Sequence, residues 1–313
     1  MVFSAEPDRV YGAMSNWIER WSDIDTRLSS LLLTPDDHPN FEAAIREADA
    51  LALSLLQTDA DASLYWLFQL AASSTVGYST SHALICWAIC RLVGPSAGLA
   101  DGDSQALGLA ALTMNIAMTR LQDTLAEQST PPTAAQREQI ETHAEMGAAW
   151  LQRLGVRDAA WIDIVRTHHQ HTGTHPATAL LQAADRYTAL ISPRETRSGQ
   201  CVTDSGRFAL VQQGASPTSL GHALVRTIGI CPPGTFVRLT DDRVAIVLRR
   251  SAQPGEPWVA TVLDARGFPT SEPSLIDTSE DGNGIAAALV SRTVRVRLNH
   301  PRLLQLSRMA LAN

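Results

Sequence analysis

The sequence predicts a mainly α protein that carries a small β-subdomain towards its C-terminus. Two patterns predict this: apolar residues recur at helical spacing as far as about Leu190, and the period turns to two beyond Pro232-Pro233-Gly234. Composition agrees, since 45% of the 313 residues are hydrophobic and 18% charged, ample for a buried core. Three regions are expected: an N-terminal helical region over 1–74, a helical domain over 75–200, and an extension with short strands over 201–313.

The helices follow in order. Trp17, Ile18, Trp21, Ile24 and Leu28 mark the first, and Thr34-Pro35-Asp36-Asp37 breaks it. A second runs from Phe41 through Leu56, and a third carries Leu64, Leu67, Phe68 and Leu70. From Ser81 to about Leu190 the chain stays helical, with breaks at Gly94-Pro95, Gly102, Thr130-Pro131-Pro132, Gly155 and His171-Thr172-Gly173. Thr133 and Gln136 form a capping box that opens a helix reaching Trp150. Arg157-Asp158 precedes a helix that ends near His168 and His169, and Ala177 to Leu190 forms another. Two more helices are expected at Arg207–Gln212 and Leu220–Ile228. Three strands are read at Thr235–Leu239, Arg243–Leu248 and Trp258–Leu263, and a polar loop at Ser274–Gly284.

Bulk charge narrows the partners. A net charge of −7 argues against a surface that embraces DNA or RNA, yet leaves room for a local basic pocket. The opening residues lack a basic segment followed by an apolar run, and no window suits a membrane span. A soluble, cytoplasmic protein is the expectation. Cys86, Cys90, Cys201 and Cys231 include no CxxC pair; Cys86 and Cys90 read as core residues of one helix.

Six of the nine histidines lie between positions 82 and 175, and that cluster is the strongest chemical signal. His82 lies in an apolar helix, His143 in the helix after the capping box, and His168-His169 at a helix end. Asp185 interrupts an otherwise apolar helical surface. Taken singly, each histidine reads as a satisfied core residue. Together, several imidazoles and one buried carboxylate read as a ligand shell, because a cation satisfies both.

These residues carry a resemblance. His82 after Tyr78, then His143-Ala144-Glu145-Met146-Gly147, then His168-His169-Gln170, then Ala184-Asp185-Arg186-Tyr187-Thr188-Ala189-Leu190 follow the order and spacing of the HD-GYP branch of the HD metal-dependent phosphohydrolases. Ile228 to Leu239 is similar to the segment entering the family's C-terminal β-element, so the likeness spans about residues 78–265. It implies an HD-type helical bundle between the N-terminal helices and the small β-subdomain.

The departures are specific. Where the family carries Leu-Leu-His-Asp-Ile-Gly-Lys, this chain has Leu112-Thr113-Met114-Asn115-Ile116-Ala117-Met118, and only the proline of the Gly-Tyr-Pro loop survives, as Pro176. The family's Asp bridges two cations; Asn115 lacks the charge, and the Met114 thioether suits soft Cu(I) rather than Zn, Fe or Mn. A bridged dinuclear site, and with it a metal-activated attack on a phosphodiester, is not expected.

By the resemblance, His82, His143, His168, His169 and Asp185 are the surviving ligand candidates. They imply either one divalent cation (Zn, Fe or Mn) or a metal-free polar cluster bonded within itself. His168 and His169 serve one ion only if the helix ends there, since neighbours on a regular helix point about 100° apart. Arg194 and Arg197 stand where the family places phosphate-binding arginines; a solvated loop pair is the plain alternative. Two functional classes follow: a non-catalytic signalling domain binding a cyclic dinucleotide such as cyclic di-GMP or a signalling protein, and a phosphohydrolase working with the residual His/Asp set. A homodimer is left open.

Overall fold

A computed structural model describes residues 5–73, 77–170, 175–191, 220–253 and 255–311. The expected architecture is present: helices through the N-terminal two thirds, then a small antiparallel sheet.

Helices α1 (Ala5–Leu33), α2 (Phe41–Thr58) and α3 (Ala60–Ser73) come first. They pack around α4 (Tyr78–Ser96), in which every residue from Tyr78 to Cys90 is buried. A helix apolar on all sides must lie inside the protein, and α4 does: α1, α3 and α5 (Asp101–Thr113) surround it. So do α6 (Thr119–Glu127), α9 (Pro176–Ile191) and α10 (Leu220–Ile228). Trp21 stands edge-on to both Trp17 and Trp87 at centroid distances of 6.1 and 6.4 Å, which joins α1 to α4. The expected break at Gly94-Pro95 falls in the last turn of α4, which ends one residue later at Ser96.

Helix α7 (Ala134–Arg153) opens on the expected capping box: Gln136 N–H donates to Thr133 Oγ1 at 3.2 Å, and Thr133 N–H donates to the Gln136 side chain at 2.9 Å. Helix α8 (Ala159–Thr167) is capped by Asp158, which accepts from Trp161 N–H. Trp161 Nε1 in turn donates to Thr113 Oγ1 at 2.7 Å, fastening α8 to the end of α5.

The sheet has five antiparallel strands in the order β4-β3-β2-β1-β5. β1 (Phe236–Leu239), β2 (Val244–Arg249) and β3 (Trp258–Leu263) match the sequence reading. β4 (Leu275–Asp277) lies within the stretch read as a polar loop, and β5 (Ile285–Leu289) was not anticipated. Both are edge strands: β4 has only three residues, and the Ala-rich β5 lacks a β-branched signature. Pairing with a neighbour makes them strands. A last helix, α11 (His300–Met309), starts where Asn299 accepts from Arg302 N–H and buries Leu303, Leu304 and Leu306. One apolar core runs from α1 through the helices to β2, β3 and α11. The helix expected at Arg207–Gln212 lies outside the described residues.

Candidate metal centre

The site is built where α4, α7, α8 and α9 converge. Helix α8 ends at Thr167 and His168 is its C-cap residue, so the condition for the two histidines to act together is met. The five candidate ligands fall into two groups. His143, His168 and His169 bring ring nitrogens within 4.8 Å of one another, and His82 and Asp185 meet each other, with Cys86 beside them.

In the first group His143 and His168 are almost fully buried, while His169 is exposed. Each buried ring uses Nδ1 on a backbone carbonyl one turn earlier: His143 on Ile140 O at 2.5 Å, His168 on Val165 O at 2.6 Å. An Nδ1 facing a carbonyl must carry the proton, so each Nε2 is left with a lone pair. The two Nε2 atoms face each other at 3.2 Å. Burial, with neighbouring imidazoles adding to it, pushes His168 down to about 3, and burial likewise lowers His143. Neither ring therefore supplies a proton for the other near neutrality. Two facing lone pairs at this distance repel each other unless a positive centre is shared between them. Two imidazole nitrogens about 2.05 Å from a tetrahedral zinc would stand about 3.3 Å apart, so the donor set fits a divalent cation. The carbonyl-fixed Nδ1–H groups are the outer support that such ligands use.

In the second group the imidazole Nε2 of His82 lies 2.8 Å from Asp185 Oδ1. Burial opposes charge on both partners, but their mutual attraction wins. The Asp185 carboxyl is held well below the ordinary carboxylate range by His82, with His168 and His169 adding to the effect. His82 is raised to about 10: burial lowers it, and the neighbouring Cys86 and Asp185 more than offset this. Tyr78 stacks on His82 with ring centroids 5.7 Å apart.

Met114 is the buried C-cap residue of α5, and Asn115 opens the 3-10 turn Ile116–Met118, whose Met118 is also buried. Helix α7 packs on this turn through Gly147, where a Cβ would sit 3.4 Å from Ile116 Cγ2 and 3.8 Å from Met114 O. Gly147 is one turn beyond His143, so Met114 and Asn115 lie beside the first histidine group. A cleft of about 590 Å³ runs along α7, with Ala117, Gln139, Thr142, His143, Met146 and Trp150 in its wall. The Arg153 guanidinium lies 5.8 Å from the Trp150 ring centroid at its rim. Arg194 and Arg197 lie outside the described residues.

Sequence reasoning missed the cleft residues Trp150 and Arg153, and it assigned Cys86 to the core alone. Cys86 is fully buried, yet its Sγ lies 3.6 Å from His82 Nε2. The four-residue spacing of His82 and Cys86 on one helix was the available signal.

No protein-family model matches the sequence, and no curated protein matches it. Among solved structures the chain is similar to Bd1817, a HDG"Y"P protein from Bdellovibrio bacteriovorus. The identity is 14% and the TM-score 0.47, over 72% of this chain and 73% of that one.

Proposed function

We propose that this chain is a degenerate HD-GYP-like signalling domain that no longer hydrolyses phosphodiesters. In this reading it holds one divalent cation at His143, His168 and His169, and binds a nucleotide such as cyclic di-GMP or a partner protein. The observation that carries the loss of catalysis is the turn beside His143. There a buried thioether, Met114, and a neutral amide, Asn115, stand where the resemblance calls for an imidazole and a bridging carboxylate. Two cations a few ångströms apart repel strongly, and nothing at this turn supplies the negative charge to offset it. The cleft along α7 supports a small-molecule ligand, since its volume and mixed lining suit one and His143 forms part of its wall. A bound cation there would supply positive charge to a phosphate group. Arg194 and Arg197 are proposed to add phosphate contacts.

The second reading, a residual phosphohydrolase, is favoured by the facing nitrogens of His143 and His168, which keep a site for a Lewis acid. Elemental analysis of the purified chain, incubation with cyclic di-GMP in added Mn or Fe, and calorimetric titration with cyclic di-GMP separate the two. The expected result is a cation that His168→Ala removes, no turnover, and nucleotide binding weakened about tenfold or more by Arg194→Ala. Turnover lost with His168→Ala overturns the non-catalytic reading in favour of the hydrolase. Absence of turnover and of nucleotide binding leaves a protein partner as the ligand class.

A further inference from the structure

We propose that the extended segment Val294–Leu298 is a docking edge for an acidic β-strand of a partner protein. This names the chemistry of the protein partner left open above, and it involves neither the histidine groups nor the cleft along α7. The segment reads Val-Arg-Val-Arg-Leu, the alternation of a half-buried strand. Val294, Val296 and Leu298 are half-buried against the apolar core, while Arg295 and Arg297 are exposed. Yet the segment pairs with none of the five described strands.

Its backbone sets it apart. Among the described residues, no hydrogen bond involves the N–H groups of 295–298 or the C=O groups of 294–298. Both ends are nevertheless fixed. The 3-10 turn Ser291–Thr293 before it packs on α3, and Val294 N–H donates to Ser291 O. After it Asn299 caps α11, whose first residue, His300, meets Tyr65 of α3. The segment is thus held extended with its peptide groups unpaired, so an incoming strand has only itself to order.

Charge selects the strand. No acidic residue follows Asp281, whereas Arg292, Arg295, Arg297, Arg302 and Arg308 do, in a chain of net charge −7. Arg292, Arg295 and Arg297 are exposed and have no acidic partner among the described residues. Residues directly opposite in paired strands share a face, so Asp or Glu at alternate positions of the incoming strand meets Arg295 and Arg297. Its intervening residues fall on the side of Val294, Val296 and Leu298, and are apolar. A second copy of this chain fits badly, because antiparallel pairing about Val296 sets each Arg295 against an Arg297. Nucleic acid or a lipid surface also attracts arginine, but phosphate only accepts hydrogen bonds and leaves the carbonyls of the segment unpaired.

Fluorescence anisotropy with labelled synthetic peptides tests this on the full-length chain. Ser-Glu-Val-Glu-Val-Glu-Ser is expected to bind at least about tenfold more tightly than Ser-Lys-Val-Lys-Val-Lys-Ser. N-methylation of its backbone amides keeps the charge, removes the strand donors, and is expected to weaken binding about tenfold or more. Arg295→Glu with Arg297→Glu is expected to exchange the preference for the lysine peptide, an exchange that a misfolded chain cannot give. Hydrogen exchange is expected to slow at 294–298 when the acidic peptide binds. A chelator leaves peptide binding unchanged, so this surface and the histidine cluster succeed or fail separately. No binding, binding indifferent to N-methylation or to charge reversal, or protection elsewhere overturns the proposal. So does tighter binding to a single-stranded oligonucleotide or to phosphatidylglycerol vesicles, and so does a dimer of the chain that Val296→Pro dissolves.

Discussion

Arg249, at the end of β2, donates from Nη2 to Asp59 Oδ1 at 2.6 Å, at the point where α3 begins. Both side chains are under a tenth exposed, and Asp59 also accepts from Ala62 N–H at 3.0 Å. The pair therefore joins the sheet to the helical body through a desolvated contact. Arg249→Met leaves a buried carboxylate without its cation and is expected to cost about 3–5 kcal/mol in urea unfolding. Asp59→Asn in the same chain recovers part of the loss, because the amide still accepts from Ala62 without a charge. Equal losses in the single and double variants would show that the charge is not what matters.

Gly234, just before β1, makes another close approach to α3. Its φ is +91°, and an added Cβ would lie 2.8 Å from Tyr65 O and 2.9 Å from Phe68 Cβ. Gly234→Ala therefore meets both backbone strain and a clash, and a loss of about 2–4 kcal/mol is expected. Gly267, at φ +83° with nothing within 4 Å, isolates the backbone part. Gly267→Ala is expected to cost about 1 kcal/mol. Similar losses at the two positions would remove the steric argument.

Burial raises the Asp25 carboxyl from 3.8 to about 6. The folded chain thus binds more protons than the unfolded chain between those values, and stability falls as pH rises through this window. Asp25→Asn removes the burden and is expected to add on the order of 1 kcal/mol at pH 7, with no gain at pH 3.5. A gain of the same size at both pH values would locate the effect elsewhere.

His300 titrates with the opposite consequence. Its Nδ1 lies 2.9 Å from Tyr65 Oη, its ring stands edge-on to Trp66, and burial lowers its pKa below 6.5. The stability this represents is complete above pH 6.5 and is lost as pH falls through the lowered value. In thermal melts on the acid side, His300→Gln is expected to show a shallower decline than the parent chain. Parallel declines would exclude His300 as a source of acid sensitivity.

A cation held by His143, His168 and His169 binds the folded chain alone and so raises its melting temperature. Added zinc is expected to stabilise the parent chain and His300→Gln alike, and to stabilise His168→Ala less. Chelation reverses the shift. If His168→Ala gains as much as the parent, the facing nitrogens are not the ligands.

Much of this was legible along the chain, because helices and their ends depend on neighbours. The Thr133–Gln136 capping box and the helix end before His168 rest on contacts within a few residues, and the apolar run Ala83–Cys90 of α4 is plain from composition. β4, β5 and α11 were harder to read. A three-residue edge strand and an alanine-rich one acquire their form from hydrogen bonds to a distant partner, not from their own composition. In α11, the cap at Asn299 and its three buried leucines were local signals that passed unread.

The sequence alone determined which residue types are available and their order on successive helices. Only the tertiary structure decided how they are shared out. His82 meets Asp185 across 103 positions and His143 meets His168 across 25, which makes two groups where spacing alone suggested one set. The physical reason is that a helix specifies its own faces through hydrogen bonds a turn apart. Which faces touch is set by how α4, α7, α8 and α9 cross, and that is a property of the whole packed core.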